Sequence, residues 1–252
     1  MEIPKAVEIN PTYENFEARC PICKHWNIFN RASEIKSFKL ISELTVDCQN
    51  GKCKEKFWID GDFINPAWQM LILDCEMLKQ QKRYSYCILN LAQAFEMYFA
   101  LYFRVELLYK PYGIEKSYDS NRFHNLSDLL FDTTRKWTYF TLRNTFLNFL
   151  IQKIKCNNLA ESESVIKNLQ SYSLEPTNKV LKTIKDQELY NILLELKNSE
   201  VSTKRNDVVH KYAYRPKLEV VEDAVEETFR ILYGLDNLLG VLSEQTEIYE
   251  VI

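Results

Sequence analysis

Arg205-Asn206-Asp207-Val208-Val209-His210-Lys211-Tyr212 is a charged octapeptide late in a strongly apolar, helix-rich region of a 252-residue chain. It holds one of only three histidines. Histidine titrates nearer neutrality than any other side chain, so an imidazole five residues after an arginine offers a proton carrier and a permanent cation together. Phosphoryl-transfer chemistry on RNA needs that pair. A base or acid must move the proton of a ribose 2′-hydroxyl or of the leaving oxygen, and a cation must hold the anionic phosphorus centre. The reading requires the octapeptide to lie on a helix inside an all-helical body, so the flanking sequence decides it.

Working outward, the motif helix is predicted to start from a cap at Ser199 or Ser202 and to end at Arg215-Pro216. After it, Val221, Val225, Thr228, Leu232, Leu235, Leu239 and Leu242 form an apolar seam on a terminal helix. Before it, Asn65-Pro66 caps a helix carrying Trp68, Leu71, Ile72, Cys75 and Leu78, and the domain boundary is drawn there, giving units 1–64 and 65–252. The strongest core helix follows the polar stretch Gln80 to Arg83, with Ile88, Leu91, Phe95, Tyr98, Tyr102 and Val105 at steps of three and four, and stops at Lys110-Pro111. Residues 111–125 read as a loop, 126–131 as a short helix, and 135–156, 159–171 and 178–198 as further helices, the last two split by Glu175-Pro176. The fold class is mainly α: an antiparallel helical bundle with a small N-terminal β-type head.

In that context the octapeptide resembles a family signature. HEPN-domain proteins carry Arg, usually a polar residue next, then His, positions matched here by Arg205, Asn206 and His210; the subgroup paired with minimal nucleotidyltransferases extends the pattern to Arg-x4-His-x-Tyr, which Tyr212 completes. The resemblance covers mainly residues 84–109 and 200–243. It implies a metal-independent endoribonuclease, in which 2′-hydroxyl attack leaves a 2′,3′-cyclic phosphate and a 5′-hydroxyl, working as a toxin or phage-defence effector. It also implies a composite groove in a homodimer and a nucleotidyltransferase antitoxin that modifies Tyr212 with AMP. A non-catalytic adaptor binding a nucleotidyltransferase or nucleic acid is the alternative, and a zinc-ribbon transcription factor a weaker third.

The helical wheel speaks to the dimer independently. Asn206 and His210 share a face, whereas Arg205 turns about 140° from His210, so two chains would aim both groups at one phosphate more easily than one. Glu96 interrupts the face of Leu89, Ala92, Phe99 and Phe103, and Arg205 is its natural partner; a solvent-facing glutamate is the other reading. From Lys204 to Lys217 five basic residues (Lys204, Arg205, Lys211, Arg215, Lys217) stand against Asp207, a patch suited to RNA although the chain as a whole carries −3.

At the N-terminal end, Cys20-Pro21-Ile22-Cys23 and Cys48-Gln49-Asn50-Gly51-Lys52-Cys53 are two tight turns that can place four thiolates on one zinc. Strands are expected at His25 to Phe29, Phe38 to Val46 and Lys56 to Phe63, and the whole resembles a zinc ribbon. The longer second turn is accommodated by a left-handed turn at Asn50-Gly51. Four sulfurs leave no position for water, so the zinc is structural, and His25 beside Trp26 reads as a packing residue. His124 reads as polar surface. No signal segment and no long apolar run is present, which points to a cytoplasmic protein without a membrane span, and the three remaining cysteines suit a reducing compartment. No glycine-rich phosphate loop, Ser-x-x-Lys or His-Glu-x-x-His pattern occurs, which sets aside nucleotide-loop, acyl-transfer and catalytic-metal chemistry.

Overall fold

The computed structural model describes residues 15–30, 34, 44–59, 67–115, 120–212 and 214–241. Contacts divide the chain into two compact units that part between Pro66 and Ala67. The expected strand segments 38–43 and 60–63, the Asn65-Pro66 cap and Leu242 lie outside the described residues.

The first unit is two antiparallel hairpins. Strand β1 (Asn15–Arg19) pairs with β2 (Trp26–Asn30), and β3 (Leu44–Asp47) with β4 (Lys56–Ile59). Alternation puts Phe29, Val46, Phe57 and Ile59 into a small core with Cys20 and Cys48. Strand β1 has no counterpart in the sequence reading, because its run NFEAR carries little β signal.

The second unit is a helical bundle around one long helix. Helix α1 (Ala67–Gln80) packs on α2 (Tyr84–Arg104), and α2 also touches α5 (Tyr139–Gln152), α9 (Val201–His210) and α10 (Leu218–Leu239). Its buried stripe, Ile88, Leu91, Phe95, Tyr98, Tyr102 and Val105, is the one read from the sequence, with Ala92, Phe99 and Phe103 widening it. Aromatic edges fill the centre. Trp68 meets Tyr98 at 5.4 Å and Tyr233 at 4.9 Å, and Phe146 meets Tyr102 at 4.7 Å, all near-perpendicular contacts that exploit the ring quadrupole. Among the described residues no helix is long and apolar enough to cross a membrane.

Several boundaries differ from the sequence reading. The chain does not stop at Lys110-Pro111: α2 passes through a π-wound turn, Val105–Tyr109, into α3 (Lys110–Glu115). Proline lacks an N–H and its ring crowds the carbonyl four residues back, and the widened turn, in which Lys110 N–H reaches the Val105 carbonyl, relieves that crowding. Residues 120–125 are not loop but the start of α4 (Ser120–Thr134). Phe123, Leu126 and Leu130 bury one face of it, and Phe123 stacks on Tyr109 at 5.8 Å. Helix α5 begins only at Tyr139, capped by Thr138. Helix α6 (Leu159–Lys167) passes into a 3-10 turn at Leu169–Tyr172. The expected helix 178–198 is two, α7 (Asn178–Leu181) and α8 (Gln187–Asn198), because the Asp186 carboxylate accepts the Glu188 and Leu189 N–H groups and starts a new one. Helix α9 ends at His210 rather than near Arg215, since among the described residues after Val208 on that segment none is buried before Pro216, and packing, more than propensity, holds short helices. Helix α10 ends at Gly240 in the left-handed conformation, φ 63°, its N–H bonding Asp236.

Candidate functional sites

In the hairpin unit the four sulfurs of Cys20, Cys23, Cys48 and Cys53 lie within 4.8 Å of one another. Cys20 Sγ is 3.9 Å from Cys53 Sγ, and Cys23 Sγ is 3.6 Å from Cys48 Sγ. Both are far beyond a disulfide and bracket the edge of about 3.8 Å that a tetrahedron with zinc-sulfur bonds of about 2.3 Å requires. Each turn is held by its own backbone: Cys20 N–H bonds the His25 carbonyl and Cys48 N–H the Glu55 carbonyl. The left-handed residues are Lys24, φ 61°, and Lys54, φ 51°, each directly after the second cysteine of its turn. This corrects the Asn50-Gly51 expectation: Lys54 N–H closes on the Asn50 carbonyl, so the two extra residues are absorbed earlier in the hairpin.

Hydrogen bonding to the backbone at His25 draws the Cys23 thiol down to about 6, whereas burial pushes Cys48 up to about 12. One thiolate forms readily and another needs a cation to lose its proton, which is the donor set a dication completes. Asn27, Gln49 and Asn50 support the cluster and had no signature in the sequence. Buried Asn27 bonds the Ala18 and His25 carbonyls and accepts the Gln49 N–H at 2.7 Å. The Gln49 amide pairs with both backbone groups of Ile28, and Asn50 Nδ2 lies 3.6 Å from Cys23 Sγ. Together they tie one hairpin to the other and supply polar support to the Cys23 sulfur.

In the helical unit Arg205, Asn206 and His210 of α9 line one cavity of about 470 Å³, together with Glu96 and Ala92 of α2, Ser202, and the segment Trp137-Thr138-Tyr139-Phe140. The helical wheel sends Arg205 away from His210, yet both border the same space. The guanidinium Nη1 donates to Asn206 Oδ1 at 3.2 Å, which draws the long side chain round the helix towards the Asn-His face. Burial raises the Glu96 carboxyl above its ordinary range, and the charge of Arg205 opposes that shift. No hydrogen bond or ion pair of 4 Å or less joins the two, so each keeps donor or acceptor capacity for a ligand.

His210 is the last residue of α9 and is exposed, and Tyr212, beyond the helix end, is wholly exposed. Val201 is buried, whereas Arg205 and Val208 are half-buried. Part of the basic patch is neutralised locally, Lys204 by Glu200 at 3.6 Å and Lys211 by Asp207 at 2.7 Å. The helix opens without a side-chain cap, Ser199 Oγ accepting the Val201 N–H at 3.4 Å and Ser202 lying buried inside the helix.

Tyr139 is buried; its hydroxyl makes no hydrogen bond within 3.5 Å, Ser199 being the polar side chain that faces it, and burial raises its pKa above the usual phenol range. Four residues on, Arg143 is 3% exposed; it donates to the Lys197 carbonyl at the end of α8 and to Asn144 Oδ1, and its guanidinium lies 5.1 Å from the Phe140 ring. Helix α5 thus supplies one wall of the cavity and anchors the segment that leads into α9. The chain matches no protein-family model, no curated protein and no solved structure.

Proposed function

We propose that the helical unit is a metal-independent endoribonuclease of HEPN type. The observation that carries the reading is the meeting of Arg205, Asn206, His210 and Glu96 on one cavity large enough for a nucleotide unit. Cleavage needs two proton transfers. One group takes the proton of the 2′-hydroxyl as its oxygen bonds to phosphorus; a second gives a proton to the 5′-oxygen as the P–O5′ bond breaks, leaving a 2′,3′-cyclic phosphate and a 5′-hydroxyl. Glu96 and His210 are the carboxyl and the imidazole of that cavity, the two groups there suited to proton transfer, and they divide the transfers. Arg205 neutralises the phosphorane, with Asn206 holding its fork in place.

A homodimer pairing two such cavities is the second arrangement, favoured by the exposure of Phe140 on the cavity rim and Val209 on α9. In the hairpin unit zinc is the proposed ion, in a structural role, and the unit positions RNA or a protein partner. Full exposure of Tyr212 leaves it open to modification by a nucleotidyltransferase antitoxin, the regulation expected of a toxin or phage-defence effector.

The test is cleavage of bulk RNA with and without EDTA, with analysis of the ends. Chelator-resistant cleavage yielding cyclic phosphates, lost more than a hundredfold in Arg205→Ala and His210→Ala, is expected; equal cleavage by wild type and variants refutes the assignment. Mixing the two variants separates the arrangements, because only a composite groove regains activity.

A further inference from the structure

A second cavity, of about 610 Å³, lies on the other side of α9 and takes no part in the chemistry above. Its walls include the cations Lys82, Arg83 and Arg215, the first turn of α2 with Tyr84 and Tyr86, and an apolar floor of Leu89, Val208 and Pro216. No acidic residue lines it. Among the described residues none of its three cations lies within 4 Å of a carboxylate, and the one side-chain bond of Arg215 is to the neighbouring Tyr214 carbonyl at 2.9 Å. Unlike Lys204 and Lys211 beside the first cavity, these cations are uncompensated. Tyr86 is 59% exposed, a large ring kept in water although the core has many aromatic partners.

Uncompensated cations suit phosphate, and an exposed tyrosine above an apolar floor suits the face of a base. The two cavities share walls. Val208 faces this one while Arg205, Asn206 and His210 border the other, and α2 gives Leu89 to this one and Ala92 and Glu96 to the other. From Tyr86 to Glu96 is about 15 Å along the helix axis, a distance that a few linked nucleotides span.

We propose that this groove is a binding subsite for single-stranded RNA, in which Lys82, Arg83 and Arg215 hold backbone phosphates, Tyr86 stacks a base, and the strand continues to the cavity of His210. The subsite rests on the ribonuclease reading for the identity of its ligand.

The test uses the full chain and a fluorescein-labelled decaadenylate, 2′-O-methylated at every ribose so that it cannot be cleaved, with anisotropy followed against salt. Arg83→Glu and Arg215→Glu are each expected to weaken binding at least fivefold and to flatten the salt dependence by about 0.7 for each phosphate no longer neutralised. Tyr86→Ala is expected to weaken it about tenfold with the salt slope unchanged. Lys179→Glu, exposed on α7, changes net charge equally and is expected to leave affinity alone. With cleavable RNA, Arg83→Glu and Arg215→Glu are expected to raise KM and leave kcat near wild type.

Groove variants that bind and cleave like wild type overturn the subsite and leave the nuclease standing. Loss of binding in the groove variants of a protein that never cleaves RNA supports the subsite and removes the nuclease. AMP binding as tightly as the decamer, with no gain from chain length, overturns the strand reading in favour of a mononucleotide pocket.

Discussion

Arg143 offers a sharp test of how the helical unit holds its site. The side chain is almost wholly buried on α5, donating to the Lys197 carbonyl at 2.9 Å and to Asn144 Oδ1 at 3.3 and 3.0 Å. The Lys197 carbonyl is one of the last of α8 and has no intrahelical partner to fall back on. In Arg143→Met the stem packing survives, but that carbonyl and the Asn144 oxygen are left unpaired in the interior, each costing about 1–3 kcal/mol. The Glu175 ion pair at 3.3 Å is discounted, because that carboxylate is half exposed and solvent screens it. The expected loss is about 4 kcal/mol, which at about 2–4 °C per kcal/mol is a fall of roughly 8–16 °C in Tm. Arg143→Lys keeps one donor and the charge and is expected to lose about half as much. Urea unfolding followed by circular dichroism at 222 nm reads the helical unit, since the described hairpin unit has no α-helix. A methionine variant within about 1 kcal/mol of wild type would refute the network as the anchor of the α8–α9 segment.

Glu96→Gln separates stability from chemistry. Burial raises the folded-state pKa of Glu96, so its native proton is held more tightly than in the unfolded chain. Its contribution to stability is therefore greatest below the ordinary carboxylate pKa, declines as pH rises through the interval up to the raised value, and is flat above it. The glutamine variant is expected to lose that decline and gain stability relative to wild type as pH rises through that interval, while cleavage falls about 10²–10⁴-fold and the limb of the pH–rate profile due to Glu96 disappears. A parallel pH dependence of stability in both proteins counts against it. Removing the Tyr139 hydroxyl, which makes no hydrogen bond within 3.5 Å, in Tyr139→Phe is expected to raise stability by about 1 kcal/mol in the same urea assay, and a loss would show that Ser199 holds it. For the cysteine cluster, mass spectrometry under native conditions is expected to find one zinc per chain. A strong chelator should collapse the strand signals in an amide NMR spectrum and spare the helical ones, as the two hydrophobic cores share no residue; a cluster that stays folded metal-free, or Cys48→Ser binding zinc as tightly, contradicts this.

Features written in local spacing were legible. The four clustered cysteines lie in two short turns, so residue type and interval were enough to find them, and the stripe from Ile88 on α2 to Val105 just beyond it follows from its period. What escaped depends on packing between distant segments. Nothing in Trp137 to Phe140 marks it as a wall of the cavity, because its relation to Arg205 arises from α5 and α9 both packing against α2. The polar stretch before Leu126 hid the start of α4, whose register is set by Phe123 against Tyr109 and Tyr112. The divergence of Arg205 from His210 holds for Cα directions alone, whereas the long side chain of Arg205, steered by Asn206, reaches the same cavity.

The π-wound turn at Val105–Tyr109 has a bearing on how this chain tolerates changes in length. The five residues of this turn sweep nearly the same angle as four of ordinary helix, so deleting one would restore ordinary winding and leave the helices beyond it close to their present direction. The cost would fall on Pro111, whose ring would then be driven against the carbonyl four residues back. A deletion paired with replacement of Pro111 should therefore be tolerated better than a one-residue insertion, which would turn α3 by about 100° and take the Glu115 carboxylate from the Leu159 N–H that it accepts at 2.8 Å.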